Sequence, residues 1–213
     1  MKLCDKDILY LDRQVIVVLK PYGVLTQEDP RENLQEAAKR YLQEHTGKSR
    51  PFCIPIHRLD KNVAGIVVFA RTSKALQRLQ SALRERKRCK KVYYARVEGR
   101  VAKGGMLTHY LVKKAYHSRV FDSPLPEGKK AELLFTVLEE GSSSILQIEL
   151  ITGRYHQIRA QLAHIGHPIC GDRKYGALSS KKGIDLYHME MSFPHPISGE
   201  SIRVCAKPLF SSQ

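Results

Sequence analysis

Asp60 lies two residues after Arg58 in the polar stretch PIHRLDKNVAG, which separates two apolar runs. A carboxylate in such a loop can act as a nucleophile or as a general base. It can also be a turn residue whose side chain accepts hydrogen bonds from its own backbone, which is the commoner use of a loop aspartate. Gly65, which follows, permits the tight backbone geometry that either use requires. These residues alone leave both interpretations open.

The segment GRYHQIRAQ is rich in side chains that could bind a substrate: Arg154, His156, Gln157, Arg159 and Gln161. It is interleaved with an apolar stripe that would pack inward on a helix: Tyr155, Ile158, Leu162 and Ile165. Arg159 would then lie about 100° from this stripe, at the border between core and cleft. A guanidinium at such a border needs an acidic partner, for which Asp60 is a candidate. A solvated helix face is the alternative interpretation.

Two adjacent tyrosines, Tyr93 and Tyr94, lie in KKVYYARVEG, which alternates as a strand does. They should point to opposite faces, one to the core and the other to a surface or a cleft. They are either packing aromatics or a stacking platform for a nucleobase. The histidines have no HExxH or comparable spacing, so the sequence predicts no metal site.

The formal net charge of +15 favours a polyanionic partner, because neutralising phosphates releases counterions. The hydrophobic content of 42% in 213 residues is enough for a packed core. The sequence has no apolar run of membrane-spanning length and no secretory signal, so we expect a cytoplasmic protein without a membrane partner. Five scattered cysteines without a CxxC pair predict reduced thiols rather than disulfides or a zinc cluster.

The elements that must position these residues follow from periodicity and turn signals. A helix is predicted over 33–46, ended by Gly47, and a second helix is predicted to begin at Thr72 or Ser73. Strands and hairpins are predicted over 15–19, 65–70, 91–99, 131–152 and 186–206. This pattern is typical of an α+β fold with a largely antiparallel sheet, and residues 1–213 are expected to form a single domain.

Several segments together resemble one family. HRLDKNVAG resembles the HRLD-x-x-T-S-G signature of the RluA family of pseudouridine synthases, and KVYYARVEG is similar to its K-x-Y-x-A-x-V-x-G strand. TGRYHQIRAQLAHIGHPICGDRKYG resembles its T-G-R-x-H-Q-[IL]-R segment and the G-H-P-I-x-G-D that follows. VLKPYGVL and SFPHPISGE are similar to its opening K-P-x-G and its closing hairpin. The joint match is specific, although each piece alone is weak.

The resemblance implies an RNA pseudouridine synthase that isomerises specific uridines in rRNA or tRNA, with no metal or organic cofactor. Asp60 is then the catalytic aspartate, Tyr93 stacks on the target uracil, and Arg159 pairs with the aspartate. Arg58 is the arginine that enters the RNA where the base leaves. The other expected substrate-binding residues are His57, Arg154, His156 and Gln157.

The implied fold is a single mixed, largely antiparallel sheet with flanking helices and a central RNA-binding cleft. We expect a monomer whose basic segment 84–91 contacts phosphates. A catalytically silent RNA-binding or ribosome-assembly protein on the same fold is the rival hypothesis. The chain starts directly in the catalytic domain, so we expect no small N-terminal RNA-binding domain. Departures from the family pattern are Val63 and Ala64 for Thr and Ser, Leu19 for Asn, and Tyr187 for His.

Overall fold

The computed structural model describes residues 1–27, 32–85, 88–179 and 183–207. The chain groups into two compact units, unit 1 with Met1–Lys90 and His188–Gln213, and unit 2 with Lys91–Tyr187. Two members of the predicted phosphate-contacting segment, Arg86 and Lys87, lie outside the described residues. That residues 1–213 act as one catalytic domain stays a prediction.

Among the residues that the structure describes, strands outnumber α-helices, eleven to three. In chain order they are β1 (Ile8–Leu11), β2 (Val15–Lys20), α1 (Leu34–Thr46), β3 (Ile54–Pro55), β4 (Ala64–Ala70), α2 (Ser73–Arg84), β5 (Lys90–Glu98), β6 (Gly105–Lys113), β7 (Ser118–Phe121), β8 (Lys129–Glu139), β9 (Ser143–Leu150), α3 (Gln157–His164), β10 (Leu186–Pro194) and β11 (Ser201–Cys205). The predicted α+β composition is confirmed.

Unit 1 is built on strands β1, β2, β4 and β10, in that spatial order, with β3 beside β4 and β11 beside β10. Strands β2 and β4 pair antiparallel, from Val15 opposite Ala70 to Lys20 opposite Gly65. Both read as continuous apolar runs because both of their faces are buried. The core between the sheet and α2 contains Val17, Ile66, Val68, Leu79 and Phe193.

The helices of unit 1 begin where their capping residues predict. The Asn33 side chain accepts a hydrogen bond from the Glu36 backbone N–H at 2.9 Å and starts α1, and Gly47 ends it at φ 68°. Thr72 caps α2 in the same way, through the Ala75 N–H at 3.1 Å. The helices predicted over 33–46 and from Thr72 are therefore confirmed.

Unit 2 is an antiparallel series of strands in the order β5-β9-β8-β6-β7, which includes the predicted hairpin of 131–152. The β6–β7 hairpin was not predicted. Helix α3 begins only at Gln157, and its first six residues are all buried, so the predicted one-sided stripe is wrong. Tyr155 lies before the helix with 38% of its surface exposed, and Ile165 follows the helix.

No helix among the residues that the structure describes is both long and apolar enough to cross a membrane.

Candidate active site

The Asp60 loop of unit 1 is a tight turn. Asp60 is half-buried, and its carbonyl accepts a hydrogen bond from the Val63 N–H at 3.0 Å. The neighbouring Lys61 carbonyl accepts one from the Gly23 N–H at 2.9 Å. The turn interpretation of the sequence thus holds for the backbone, and it leaves the chemistry of the carboxylate open.

A buried lysine fixes this loop from inside the unit. Lys20 is fully buried, and its ammonium donates to the carbonyl oxygens of Pro21 at 3.1 Å, Val24 at 2.6 Å and Lys61 at 3.2 Å. Burial lowers the pKa of Lys20 to about 8, while the negative charge of Asp60 acts in the opposite direction. Lys20 therefore joins the loop after β2 to the Asp60 turn and places a positive charge near the carboxylate.

Two further contacts hold the HRLD segment in place. The Thr26 hydroxyl donates to the Leu59 carbonyl at 3.1 Å and accepts from the Leu59 N–H at 3.2 Å. The His57 Nε2 accepts a hydrogen bond from the Val68 N–H at 3.3 Å. The Arg58 side chain is exposed between these anchored neighbours. The backbone around Asp60 is consequently fixed on both sides, while Arg58 faces solvent.

The departures from the family signature lie in an apolar setting. Val63 and Ala64 are 3% and 5% exposed, so their side chains belong to the core. Gly65 has φ +125°, and a Cβ on it would lie 2.3 Å from the His188 carbonyl oxygen. Only glycine lets β4 approach β10 this closely.

In unit 2, Tyr93 and Tyr94 lie on opposite faces of β5, as predicted. Tyr93 is 6% exposed and sits opposite Ile148 of β9. Tyr94 is half-buried, and its hydroxyl donates to the Gln147 side chain at 3.3 Å. Tyr93 is thus the more enclosed of the two, and its stacking role stays a prediction.

Arg159 has an acidic partner that the sequence reasoning missed. Its guanidinium donates to both carboxylate oxygens of Asp172, from Nε at 2.7 Å and from a terminal nitrogen at 2.8 Å. Both side chains are buried, at 6% and 1% exposure. The signal was present, since Asp172 follows thirteen residues after the arginine, in the segment that carries the family resemblance. The predicted pairing of Arg159 with Asp60 stays a prediction.

Gln157 organises the loop that leads into α3. Its side-chain oxygen accepts from the Thr152 hydroxyl at 2.7 Å and from the Arg154 N–H at 3.0 Å. Its amide nitrogen donates to the Glu132 carbonyl at 3.0 Å. The buried amide therefore positions Arg154, whose Nε donates to the Lys130 carbonyl at 3.0 Å. Substrate binding by Gln157 itself stays a prediction.

His156 is the one non-glycine residue with positive φ in the described chain, at φ 53° and ψ 26°. Such a conformation costs about 1–3 kcal/mol and is kept where the surroundings impose it. Here the ring stacks on Tyr155 at 3.9 Å, and Nδ1 lies 2.9 Å from the Tyr175 hydroxyl. That hydroxyl also accepts from the Ser118 N–H at 2.8 Å, and the Arg159 guanidinium lies 5.2 Å from the Tyr175 ring centre. Tyr175 thus positions two predicted site residues and was itself missed.

A basic cavity of about 400 Å³ opens beside this segment, entirely within unit 2. Its polar lining is formed by Lys113, Lys114, Ser118, Glu127, Lys129, Arg154 and Tyr155. The Lys113 ammonium lies 5.0 Å from the centre of the Tyr155 ring, a cation–π distance. In proteins that bind single-stranded nucleic acid, cationic side chains contact the phosphates and an exposed aromatic ring stacks on an unpaired base.

The sequence matches the model of a family described as RNA pseudouridylate synthase over residues 14–164. It is 33% identical over 212 residues to the dual-specificity RNA pseudouridine synthase RluA of Haemophilus influenzae, covering 96% of this chain and 94% of that protein. It is 32% identical to the ribosomal large subunit pseudouridine synthase C of Vibrio cholerae, covering 93% of this chain and 64% of that protein.

The fold is also similar to that of solved structures. Human RNA pseudouridylate synthase domain containing 4 superposes with a TM-score of 0.80 at 21% identity, covering 95% of this chain and 88% of that one. Human RNA pseudouridylate synthase domain containing 1 gives a TM-score of 0.79 at 22% identity, covering 99% and 88%. The predicted mixed sheet with flanking helices is thereby confirmed, and the central RNA-binding cleft stays a prediction.

Proposed function

Because the chain belongs to the RNA pseudouridylate synthase family, we propose that Asp60 is the carboxylate that starts its reaction, the isomerisation of uridine to pseudouridine in RNA. The reaction breaks the bond between C1′ and N1, turns the uracil, joins C5 to C1′ and releases the C5 proton. No atom is gained, so no cosubstrate is needed. One carboxylate can attack the sugar or take a proton, and either role requires its ionised form.

The observation that carries this assignment is the set of hydrogen bonds that fix the Asp60 turn from the protein interior. Lys20 joins three carbonyls around it, and Thr26 holds the preceding residue through two hydrogen bonds. A reactive group must be held close to its productive geometry by residues that are themselves locked. A mere surface turn needs no buried ammonium beneath it.

Arg159 and Tyr93 are proposed as the other catalytic residues. The bidentate pair with Asp172 fixes the plane of the Arg159 guanidinium. The enclosed ring of Tyr93 is suited to stack on an extruded uracil, and stacking offsets part of the few kcal/mol that extrusion costs. Arg58, exposed beside Asp60, is proposed to occupy the position that the base leaves.

The RNA is proposed to be rRNA or tRNA. This choice is supported by two relatives, one named a dual-specificity RNA pseudouridine synthase and the other a ribosomal large subunit pseudouridine synthase. The net charge of +15 and the basic cavity support binding through phosphates, together with the proposed substrate-binding residues His57, Arg154, His156 and Gln157. Mapping pseudouridines in cells with and without this gene would identify the RNA and the nucleotide.

We further propose that the chain acts as a single catalytic domain and a monomer in the cytoplasm. Its five cysteines are scattered without a CxxC pair, a spacing typical of reduced thiols in a reducing compartment. Light scattering during size-exclusion chromatography would measure the mass in solution, and cell fractionation would locate the protein. A stable dimer or a secreted form would contradict these two proposals.

The Asp60→Asn variant tests the catalytic assignment. It nearly preserves volume but removes the ionised carboxylate, so we expect turnover to be lost while RNA binding is largely kept. Release of tritium from C5-labelled uridine in RNA measures turnover, and filter binding measures affinity. Asp5→Asn is the matched control. It removes the same charge at a residue far from Asp60 in the sequence, where the carboxylate accepts a hydrogen bond from the Tyr41 hydroxyl. Substantial pseudouridine formation by Asp60→Asn would overturn the assignment.

A further inference from the structure

Two histidines and an aspartate from three separate elements of unit 2 converge on one point. His109 comes from β6, Asp122 directly follows β7, and His164 ends α3. Their ligand atoms all lie within 4.8 Å of one another. The Asp122 Oδ1 lies 2.8 Å from the His164 Nε2 and 3.7 Å from the His109 Nε2.

We propose that these three side chains bind a divalent transition-metal ion, with Zn²⁺ as the natural choice. Two imidazole nitrogens and one carboxylate oxygen form a borderline donor set, which favours Zn²⁺, Co²⁺ or Ni²⁺ over Mg²⁺ or Ca²⁺. Ligands about 2.0–2.1 Å from a tetrahedral metal lie about 3.3 Å from one another. The two distances from Asp122 bracket this value, so small side-chain rotations suffice. This proposal departs from the sequence prediction of no metal.

The residue behind His109 holds its imidazole ring in place. Gln161 is fully buried, and its amide nitrogen lies 3.0 Å from the His109 Nδ1 and 3.2 Å from the Ala131 carbonyl. Its Oε1 has no hydrogen-bond partner among the described residues. An amide nitrogen can only donate, so the His109 Nδ1 accepts this hydrogen bond and the proton of the neutral ring is on Nε2. Metal-binding histidines usually carry the proton on the nitrogen that does not bind the metal, so the hydrogen bond from Gln161 to Nδ1 must break as the ion binds at Nε2, at a cost to the affinity.

Three protein ligands leave one tetrahedral position for water, and the ion would stabilise the three elements that its ligands join. The side chains of Asp122 and His164 are 76% and 32% exposed, so water can complete the coordination. The ion would tie the last turn of α3 to β6 and to the end of β7. Because α3 also carries Arg159, the metal should stabilise the element that holds this residue, without taking part in the reaction.

Titration of the chelator-treated protein with CoCl₂, ZnCl₂ and MgCl₂ tests the proposal. Calorimetry should give one saturable site for Co²⁺ and Zn²⁺ and none for Mg²⁺, with a melting temperature that rises as the site fills. Bound Co²⁺ should show the visible absorption of a tetrahedral site without thiolate charge-transfer bands, which excludes the exposed Cys4 and Cys205 as ligands.

Three variants decide between this cluster and other sites. Asp122→Asn and His164→Gln should each weaken Co²⁺ binding at least about tenfold while circular dichroism stays unchanged. His117→Gln is the matched control, because His117 is an exposed histidine of the same unit outside the cluster. No saturable binding, unchanged affinity in both cluster variants, or equal loss in His117→Gln would each overturn the proposal.

Discussion

The buried ammonium of Lys20 should make the stability of the protein depend on pH in the alkaline range. Its pKa is about 8 in the folded chain, against an ordinary value of 10.5. Below pH 8 both the folded and the unfolded chain carry the proton, and the folded chain bears the cost of burying the charge. As the pH rises above 8, the folded chain loses this proton first. The unfolded chain then binds more protons, so the free energy of unfolding rises.

The size of this gain follows from the two pKa values. At pH 8 the buried lysine is half neutral, whereas an unfolded lysine is almost fully protonated. At pH 10 the buried lysine is neutral, and most of the unfolded population is still protonated. Integrating the difference in bound protons gives a rise in the free energy of unfolding of about 2 kcal/mol between pH 8 and pH 10.

Lys20→Met removes the titrating group and should remove this rise. The absolute stability of the variant is less diagnostic, because relief of the buried charge opposes the loss of hydrogen bonds to three carbonyls. Urea unfolding at pH 8, 9 and 10 measures the slope. Subtracting the curve of the variant from that of the wild type cancels the contributions of tyrosines and other lysines.

Lys74→Met is the control, since Lys74 is exposed in the first turn of α2 in the same unit. It should retain the slope of the wild type. Parallel curves for Lys20→Met and the wild type between pH 8 and pH 10 would refute the reasoning, because they would mean that the ammonium is solvated in the folded chain.

Three further outcomes are expected. Asp172→Asn leaves a buried guanidinium without its counter-charge and should lower the free energy of unfolding by about 3–5 kcal/mol in urea titrations; a loss below 1 kcal/mol would mean that the pair is solvated. Tyr93→Ala should weaken RNA binding by about 1–3 kcal/mol while Tyr93→Phe keeps it, as measured by filter binding; equal binding by both would transfer the stacking role to another residue. Gly65→Ala should lower the melting temperature sharply, because its Cβ would lie 2.3 Å from a backbone oxygen of β10, whereas Gly105→Ala, with nothing within 4 Å of the added Cβ, should be nearly neutral.

Local signals in the sequence were sufficient to predict the elements whose ends are set by residues within one turn. The helix of 33–46 was predicted with its end at Gly47, because the cap formed by Asn33 and the freedom of Gly47 both act within one turn. The hairpin of 131–152 followed equally from alternation around a turn.

The contact partners of the site residues could not be predicted from local sequence patterns. Arg159 and Asp172 meet only because the chain turns back after α3, and periodicity carries no information about that turn. The stripe containing Tyr155 failed because a left-handed His156 delays the start of the helix. Lys20 is the last residue of the apolar strand β2. Its full burial could not be predicted, because lysines are usually exposed.

The three hydrogen bonds of the Gln157 amide have a consequence for how the chain can vary in length. Thr152, Arg154 and Gln157 must keep their spacing for one amide to reach all of its partners, so an inserted residue here would displace Arg154 and shift the start of α3. The connection between β8 and β9 is held less tightly, since Glu140, Gly141 and Ser142 are all exposed and its contacts include the Gly99 N–H to the Ser142 carbonyl at 3.1 Å and a surface pair of Arg100 with Glu140. Insertions that adapt the protein to a new RNA should therefore accumulate at the hairpin tip, while the loop before α3 keeps a fixed length.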